Sequence, residues 1–531
     1  MKNKTKNIFW KVAFSRAMVT ILLVLLQLFV TVIGFLWLGQ YFPYLLYGMA
    51  IVGYMLVIFI INSDDNPNFK LTWIIPICIF PMLGALLYLY IHLNVGSIGL
   101  RKKMLDQRLA FRKYYKQSHT TEKNAFKNPE LKTLSSYLRF AGNYPVYENC
   151  TAKYFPLGDD LYPDLIAELE KAKHFIFMEY FIIAKGSVWD GVLDVLKRKA
   201  AEGVEIRVLY DGTNMLINLP GKYQKQLEQY GIKAKIFSPI MPLLSTHQNN
   251  RDHRKICVID GRVGYNGGIN LADEYMNRIE RFGHWKDCAV KVAGPAVNSY
   301  TVMFLQMWNV AKADIEPEDA AGKQQPEDYN QYLKIEEQEA ADQDLTMRKG
   351  GFVIPYADEP MDGELSAENV YKFILNTATD YVHIMTPYFI VDDGMVNALT
   401  FAAKRGVDVK LIVPHIPDKK TIFSISRTFY PTLLNAGVGI YEYTPGFVHS
   451  KVFVSDHEKA VVGSVNLDYR SFYHHFENAT YFHENPVIQD IEDDFRNTLG
   501  KCQRVDMMYY KSIPLLERSI GRVCRLFGPL M

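Results

Sequence analysis

Cysteine and net charge are both scarce in this sequence. The six cysteines among 531 residues have no C-x-x-C or other short paired spacing, which predicts neither a disulfide framework nor a zinc site. The 59 Lys plus Arg nearly balance the 57 Asp plus Glu, and the net charge of +2 gives no overall basic field for nucleic acid. A 49% apolar content excludes a disordered chain.

Long apolar runs are present, and they are confined to the first hundred residues. Residues 17–38, 44–61 and 71–93 form uncharged runs of 22, 18 and 23 residues, the last of them interrupted by two prolines. Because a bilayer core takes about 20 helical residues, we predict a transmembrane region of two to three helices. A cleaved signal peptide is the alternative for the first run, but that run is too long and no small-x-small cleavage site follows it.

These runs predict a multi-pass protein of the cell membrane. Basic residues lie on both sides of the region, in the leader before residue 17 and in the segment 101–130. Three spans cannot place both basic segments on one side, so the sequence leaves open which side the rest of the chain faces.

The remainder of the chain is a duplication of alternating strands and helices. Residues 176–182 (IFMEYFI) reappear as residues 384–390 (IMTPYFI), and each copy continues into a helix that ends at a glycine, Gly203 or Gly406. A helix, a glycine and then a β-branched strand form an αβ unit, so each copy predicts a layered α/β lobe.

The predicted parts of the chain are a transmembrane region, a basic juxtamembrane segment, a first lobe, an acidic linker, a second lobe and an amphipathic C-terminal segment. Their boundaries are 1–100, 101–130, 131–313, 314–348, 349–510 and 511–531.

Each lobe contains the polar motif H-x-K-x4-D-x6-G-[GS]-x-N. A lone His-x-Lys is a weak signal, typical of a solvated strand edge, but two copies with identical spacing in a duplication are a strong one. The motif residues are His253, Lys255, Asp260 and Asn270 in the first lobe and His449, Lys451, Asp456, Ser464 and Asn466 in the second.

The spacing of this motif indicates a phosphate site. Residues i and i+2 of a strand share one face, so each histidine projects together with its lysine. The later small residues and asparagines, Asn270, Ser464 and Asn466, follow a second short strand, where backbone N–H and amide groups can approach an anion. Two such half-sites facing each other surround one phosphoryl group, and because the lysines neutralise its charge, no metal or cofactor is expected.

The doubled motif resembles the phospholipase D superfamily, and its flanks resemble the bacterial cardiolipin synthase branch. The similar flanks are GGINLADEY at residues 267–275 and NLDYRSF at residues 466–472. One departure is His475, where an asparagine is expected before Phe476 and Glu477. The resemblance implies an α/β fold of two phospholipase D-like α/β/α lobes, related by a pseudo-twofold axis and preceded by an all-α transmembrane region.

The resemblance also implies a mechanism through a phosphohistidine. We assign His253 as the nucleophile and His449 as the acid and base. A carboxylate should orient each histidine, and the candidates are Asp287 and Glu477, whereas Asp260 and Asp456 are expected to brace the lobes.

The expected enzyme is a phosphatidyltransferase that joins two phosphatidylglycerol molecules into cardiolipin and glycerol. Its partners would be phosphatidylglycerol, other anionic phospholipids and the membrane, without nucleic acid. A phospholipase D, a phosphatidylserine synthase, a membrane-anchored nuclease and a scaffold with inactive lobes are the alternatives, and the sequence does not predict an oligomeric state.

Overall fold

A computed structural model describes residue 29 and residues 42–92, 95–239, 250–311, 328–333 and 347–530. The described residues fall into two compact units. One contains residues up to 100 together with those from 523 onward, and the other contains residues 101–239 and 250–522.

The first unit is helical. It contains α1 (Phe42–Ile61), α2 (Pro67–Ile79) and α3 (Pro81–His92), and α4 (Val95–Phe111) continues from it into the second unit. The side chain of Asn66 accepts the N–H of Asn68 at the start of α2. Ile60, Ile77 and Tyr88 form a small buried core between α1, α2 and α3.

The predicted all-α transmembrane region is wrong for the part of the chain that the structure describes. Within those residues, none of the helices has both the length and the apolar character needed to cross a membrane. The run 71–93 is divided because Pro81 disfavours a helical conformation at Phe80, which ends α2 with φ −131° and ψ 77°. The resulting helices have 13 and 12 residues. At 1.5 Å per residue they reach about 20 and 18 Å, short of a bilayer core of about 30 Å.

The run 17–38 lies outside the described residues except for Phe29, and so does most of the predicted acidic linker 314–348. The described piece of that linker, residues 328–333, contains the short α12 (Asn330–Leu333).

The first lobe contains a mixed sheet. The strands of this lobe and its associated segments are β1 (Thr151–Phe155), β2 (Phe175–Tyr180), β3 (Glu205–Asp211), β4 (Lys233–Phe237), β5 (Arg251–Asp252), β6 (Lys255–Ile259), β7 (Val263–Gly267), β8 (His284–Lys286), β9 (Ala289–Ala293) and β10 (Arg348–Lys349). Strands β2, β3 and β4 run parallel, and β6, β7, β9, β1 and β10 continue the sheet from β2 in antiparallel pairings.

The second lobe repeats this topology. Its strands are β11 (Phe352–Asp358), β12 (Tyr381–Met385), β13 (Phe389–Ile390), β14 (Asp408–Pro414), β15 (Gly439–Tyr443), β16 (Gly446–Val448), β17 (Val452–Ser455), β18 (Lys459–Gly463), β19 (Leu467–Asp468), β20 (His475–His483) and β21 (Cys502–Val505). Strands β12, β14 and β15 are parallel, and β17, β18, β20 and β11 extend the sheet on the other side of β12.

Helices pack on the sheets as the α/β prediction requires. Ile176 and Met178 on β2 join a core with Trp189 on α8 (Ser187–Ala201), whereas Phe177 between them stacks on Phe304 of α11 (Val297–Val310). The first sheet therefore has helices on both faces. The helices beyond α4 are α5 (His119–Ala125), α6 (Pro129–Gly142), α7 (Gly158–Glu170), α8 (Ser187–Ala201), α9 (Asn214–Ile217), α10 (Tyr223–Glu228), α11 (Val297–Val310), α13 (Ser366–Thr377), α14 (Asp393–Lys404), α15 (Lys420–Arg427), α16 (Tyr430–Asn435), α17 (Tyr469–Tyr473), α18 (Val487–Leu499), α19 (Met507–Ser512) and α20 (Leu515–Arg525).

Two short strand pairings join the lobes. β5, just before the first motif, pairs in parallel with the start of β20 in the second lobe. β16, just before the second motif, pairs in parallel with β8 of the first lobe. Each motif therefore begins on a strand that is anchored to the opposite lobe.

Candidate active site

His253 follows β5 and is held by the second lobe. Its backbone N–H donates to the carbonyl oxygen of Phe476 over 2.9 Å. Its ring Nδ1 lies 2.9 Å from both carboxylate oxygens of Glu477. Phe181 meets the imidazole edge-on at 4.9 Å between ring centroids, so the ring is fixed by the carboxylate and by an aromatic wall.

His449 follows β16 and is held by the first lobe in the same way. Its backbone N–H donates to the carbonyl oxygen of Lys286, and its Nδ1 lies 2.6 Å from Oδ2 of Asp287. Tyr275 meets this imidazole edge-on at 5.5 Å.

The orienting carboxylates are thus exchanged between the lobes. Glu477 of the second lobe holds His253 of the first, and Asp287 of the first lobe holds His449 of the second. A carboxylate on Nδ1 fixes the tautomer that leaves the lone pair on Nε2, the nitrogen with which an imidazole attacks or takes a proton. Neither half-site is complete within its own lobe.

Both motif lysines are buried beside these histidines. The Lys255 ammonium donates to the carbonyl oxygen of His253, and the Lys451 ammonium donates to that of His449. Burial lowers the pKa of Lys255 to about 7, partly offset by Glu477, and burial lowers the pKa of Lys451 to about 8, partly offset by Asp287.

The pKa of each motif histidine is lowered. For His449, burial and the charge of Lys451 lower the pKa to about 4, and Asp287 partly opposes them. For His253, burial followed by the charges of Lys255 and Lys451 lowers the pKa well below its usual value. The lowered pKa of each histidine favours its neutral form near pH 7.

The three predicted phosphate-binding side chains are placed differently. Asn270 accepts the backbone N–H of Ile182 and donates to the hydroxyl of Tyr275. The buried Oδ1 of Asn466 accepts no hydrogen bond from any described residue. The Ser464 hydroxyl donates to Glu477, so it contacts the orienting carboxylate.

Asp260 and Asp456 lie at the far end of the motif strands from the lysines. Asp260 accepts the backbone N–H groups of Lys173, His174 and Phe175, the last of which is the first residue of β2. Asp456 accepts those of Thr379, Asp380 and Tyr381, the last of which is the first residue of β12. These carboxylates join two strands of each lobe at a distance from the imidazoles.

Three further contacts were not predicted from the sequence. Ser471 donates to Oε1 of Glu477 over 2.7 Å, Tyr275 packs on His449 and bonds Asn270, and a Cβ at Gly268 would lie 2.2 Å from Oδ1 of Asp287. Gly268 stands within the first motif, and Tyr275 and Ser471 stand in the flanks that follow the two motifs, which is the one sequence signal that points to them.

His475 lies against His253 with a ring-centroid distance of 5.2 Å and is 7% exposed. Neither of its ring nitrogens has a hydrogen-bond partner among the described residues. Among the described residues, His253, His475 and Glu477 form a group that could hold a metal ion, because their ligand atoms all lie within 4.8 Å of one another.

The site has a pair of His-x-Lys motifs between two α/β lobes. Each lobe pairs a short strand with the other lobe and supplies the carboxylate that orients the other lobe's histidine. This arrangement defines a phospholipase D-like enzyme. A family model described as "Cardiolipin synthase, PLD-like domain" matches residues 165–308 and 371–499. The chain belongs to this cardiolipin synthase family, which confirms the predicted phosphatidyltransferase.

Individual relatives agree with this family. An uncharacterized protein of Streptococcus mutans is 46% identical over 90% of this chain and 99% of its own. The cardiolipin synthase of Alkalihalophilus pseudofirmus is 33% identical over 89% of this chain and 91% of its own. A solved phosphatidylserine synthase of Haemophilus influenzae covers 75% of this chain and 97% of its own, with a TM-score of 0.55. Because its sequence is only 15% identical, this likeness supports the mixed α/β fold and nothing about the activity.

Proposed function

We propose that this enzyme transfers a phosphatidyl group from one phosphatidylglycerol to another, giving cardiolipin and glycerol. The observation that carries the proposal is the pair of imidazoles, each oriented by a carboxylate from the opposite lobe and flanked by a buried lysine. A displacement with a covalent intermediate needs one nucleophile and one proton donor on opposite sides of phosphorus, and the pair supplies both.

In the first step, Nε2 of His253 attacks the phosphorus of the donor lipid. The bond from phosphorus to the glycerol headgroup breaks, and the leaving oxygen takes a proton from Nε2 of His449, which becomes protonated when the bound phosphodiester anion offsets the charges of Lys255 and Lys451. Lys255 and Lys451 balance the charge on the phosphoryl oxygens as it develops. Asp287 opposes the lowering of the pKa of His449 that burial causes, so His449 is the better candidate to carry the proton.

In the second step, His449 removes a proton from a headgroup hydroxyl of a second phosphatidylglycerol. That oxygen attacks phosphorus, the bond to His253 breaks, and cardiolipin leaves. One phosphodiester replaces another of similar energy, so we expect no requirement for a nucleotide, a cofactor or a metal, and added glycerol should drive the reaction backward.

The test is to incubate the purified full chain with labelled phosphatidylglycerol in EDTA, without nucleotide, and to separate the lipid products. The proposal expects cardiolipin and free glycerol in equal amounts. Phosphatidic acid as the sole product would indicate a phospholipase D, and a product formed only with added serine would indicate a phosphatidylserine synthase.

We further propose that the protein acts at a cell membrane on anionic phospholipid, not on nucleic acid. Large apolar side chains on α1 support contact with lipid, since Ile51, Ile58 and Phe59 are each more than half exposed. The full chain should float with phosphatidylglycerol vesicles on a density gradient, and recovery only in the lipid-free fraction would contradict this proposal.

A further inference from the structure

His475 is a buried imidazole without an evident role in phosphatidyl transfer. Its Nδ1 lies 3.7 Å from Oε1 of Glu477, which is too long for a hydrogen bond. Both nitrogens of this buried ring therefore lack a hydrogen bond to any described residue, which costs free energy. The ring is nonetheless directed toward the same carboxylate that holds His253.

The arrangement provides three ligand atoms of the kind that transition metals prefer. Two imidazole nitrogens and one carboxylate oxygen lie within 4.8 Å of one another, and Nδ1 of His253 is 2.9 Å from Glu477. Ligand atoms bound to one tetrahedral Zn²⁺ at about 2.0–2.2 Å lie roughly 3.3 Å apart. Shifts of about 1 Å or less in these side chains would therefore bring all three atoms into coordination.

We propose that His253, His475 and Glu477 form an inhibitory binding site for a divalent transition-metal ion such as Zn²⁺. A metal on Nδ1 of His253 takes the lone pair of that nitrogen and leaves the ring proton on Nε2. An imidazole with a proton on Nε2 can neither attack phosphorus nor accept a proton. The bound ion also coordinates the carboxylate of Glu477. His253 therefore loses its orienting carboxylate as well as the unprotonated Nε2.

The surroundings restrict which ion can bind. Lys255 and Lys451 are buried, and their charges act on His253 and oppose a cation there, so binding depends on the strength of the imidazole bonds. Zn²⁺, Co²⁺ and Ni²⁺ favour imidazole, whereas Mg²⁺ and Ca²⁺ favour oxygen ligands. We therefore expect inhibition by the first group and none by Mg²⁺ at the same concentration.

The experiment uses the purified full chain with phosphatidylglycerol vesicles. Co²⁺ binding is followed by its visible absorption, and turnover is measured in ZnCl₂, in MgCl₂ and in EDTA. His475→Asn removes one ligand, and His119→Asn, which changes an exposed histidine far along the chain, is the matched control. Inhibition is expressed for each variant as the ratio of its turnover in ZnCl₂ to its turnover in EDTA, so a change in basal rate cancels.

The proposal expects wild type and His119→Asn to bind one Co²⁺ and to lose turnover in Zn²⁺ reversibly. His475→Asn should bind about tenfold or more weakly. Equal Co²⁺ binding and Zn²⁺ inhibition in His475→Asn would overturn the site, and binding without inhibition would overturn its regulatory role. If His475→Asn does not fold, Glu477→Gln tests the site through the Co²⁺ spectrum alone.

The inhibitory effect rests on the proposed function, whereas metal binding does not. Failure to form cardiolipin in EDTA would count against the proposed function and would leave the Co²⁺ result to decide the metal site.

Discussion

At the scale of single residues, the site depends on two carboxylates that sit on the lobe opposite the histidine they orient. Glu477 also accepts hydrogen bonds from the hydroxyls of Ser464 and Ser471, which fix its position. Asp287 instead accepts the backbone N–H of Cys288 and lies against Gly268. The two half-sites therefore reach the same imidazole geometry with different supporting groups.

Replacing either carboxylate by its amide should remove most activity while leaving the fold intact. In Glu477→Gln and Asp287→Asn the side-chain volume is kept, but the negative charge that fixes the tautomer and stabilises an imidazolium is lost. We expect turnover to fall by about 10³ to 10⁴ in each variant. The measurement is cardiolipin formation by each purified variant.

The matched control for these amides is Glu458→Gln, at an exposed position of the second lobe. It should keep wild-type turnover. Turnover within about threefold of wild type in Glu477→Gln would contradict the role given to that carboxylate.

Gly268 is required by the closeness of Asp287. A methyl group at this position would lie 2.2 Å from Oδ1 of Asp287, so Gly268→Ala should push that carboxylate away from His449. We expect turnover to fall by about 10² or more, because misplacement by about 1 Å can cost that much. Gly221→Ala, where a Cβ meets nothing within 4 Å, should leave turnover unchanged.

Sequence reasoning selected the histidines and lysines from the identical spacing of the duplicated motif, whereas the candidate carboxylates came from the resemblance to the phospholipase D superfamily. It did not pair Glu477 with His253 or Asp287 with His449. That pairing depends on the short strands of each lobe that pair with strands of the other lobe. It assigned Ser464 to phosphate, and the structure shows the hydroxyl donating to Glu477 of the same lobe, a contact that the motif spacing does not reveal.

At the scale of secondary-structure elements, Asp260 and Asp456 close equivalent turns. Both adopt positive φ, 55° and 56°, at the end of β6 and β17. Each carboxylate accepts three backbone N–H groups at the start of the neighbouring strand, β2 or β12. In each lobe the motif histidine and lysine lie at the opposite end of the strand, β6 or β17, from this carboxylate. The carboxylate holds that strand in register with its neighbour and so helps to position the two motif residues.

Asp456→Asn should lower stability in a pH-dependent way. Burial alone would raise the pKa of Asp456, but three backbone N–H groups outweigh it and the pKa is lowered. A lowered pKa stabilises the fold above the unfolded value near 4, and this contribution is lost as pH falls below it. We expect a loss of about 1–3 kcal/mol at pH 7.

The measurement is the thermal unfolding midpoint of wild type and Asp456→Asn from pH 7 to pH 3. The difference should be largest at pH 7 and should shrink below pH about 4. Asp106→Asn, at an exposed carboxylate on α4, is the control and should match wild type throughout. A difference between wild type and Asp456→Asn that grows toward low pH would contradict this account.

Element types were predicted well where the pattern repeats and poorly in the apolar region. The helix, glycine and strand sequence at Gly203 and Gly406 predicted the αβ units, since a glycine at positive φ, 91° and 97°, ends each helix. The run 71–93 is long enough by hydropathy to be a candidate span despite its two prolines, but local backbone geometry at Phe80 and Pro81 divides it into two short helices. Hydropathy reports composition and not where a helix ends.

At the scale of the whole molecule, the two lobes form one centre. The pairing of β5 with β20 and of β16 with β8 brings both motifs to the same interface, and each histidine takes its carboxylate across it. Two lobes with independent sites would each keep their own histidine and carboxylate together. Because each histidine is oriented by a carboxylate of the opposite lobe, we predict that neither lobe is active without the other.

The most direct test of this shared centre is a comparison of His253→Ala, His449→Ala and the double variant. Turnover of labelled phosphatidylglycerol is measured for each purified full chain. The account predicts that each single variant loses nearly all activity and that the double variant is little worse than either, because the two imidazoles act as a unit. About half of wild-type turnover in either single variant would contradict a shared centre and indicate two separate sites.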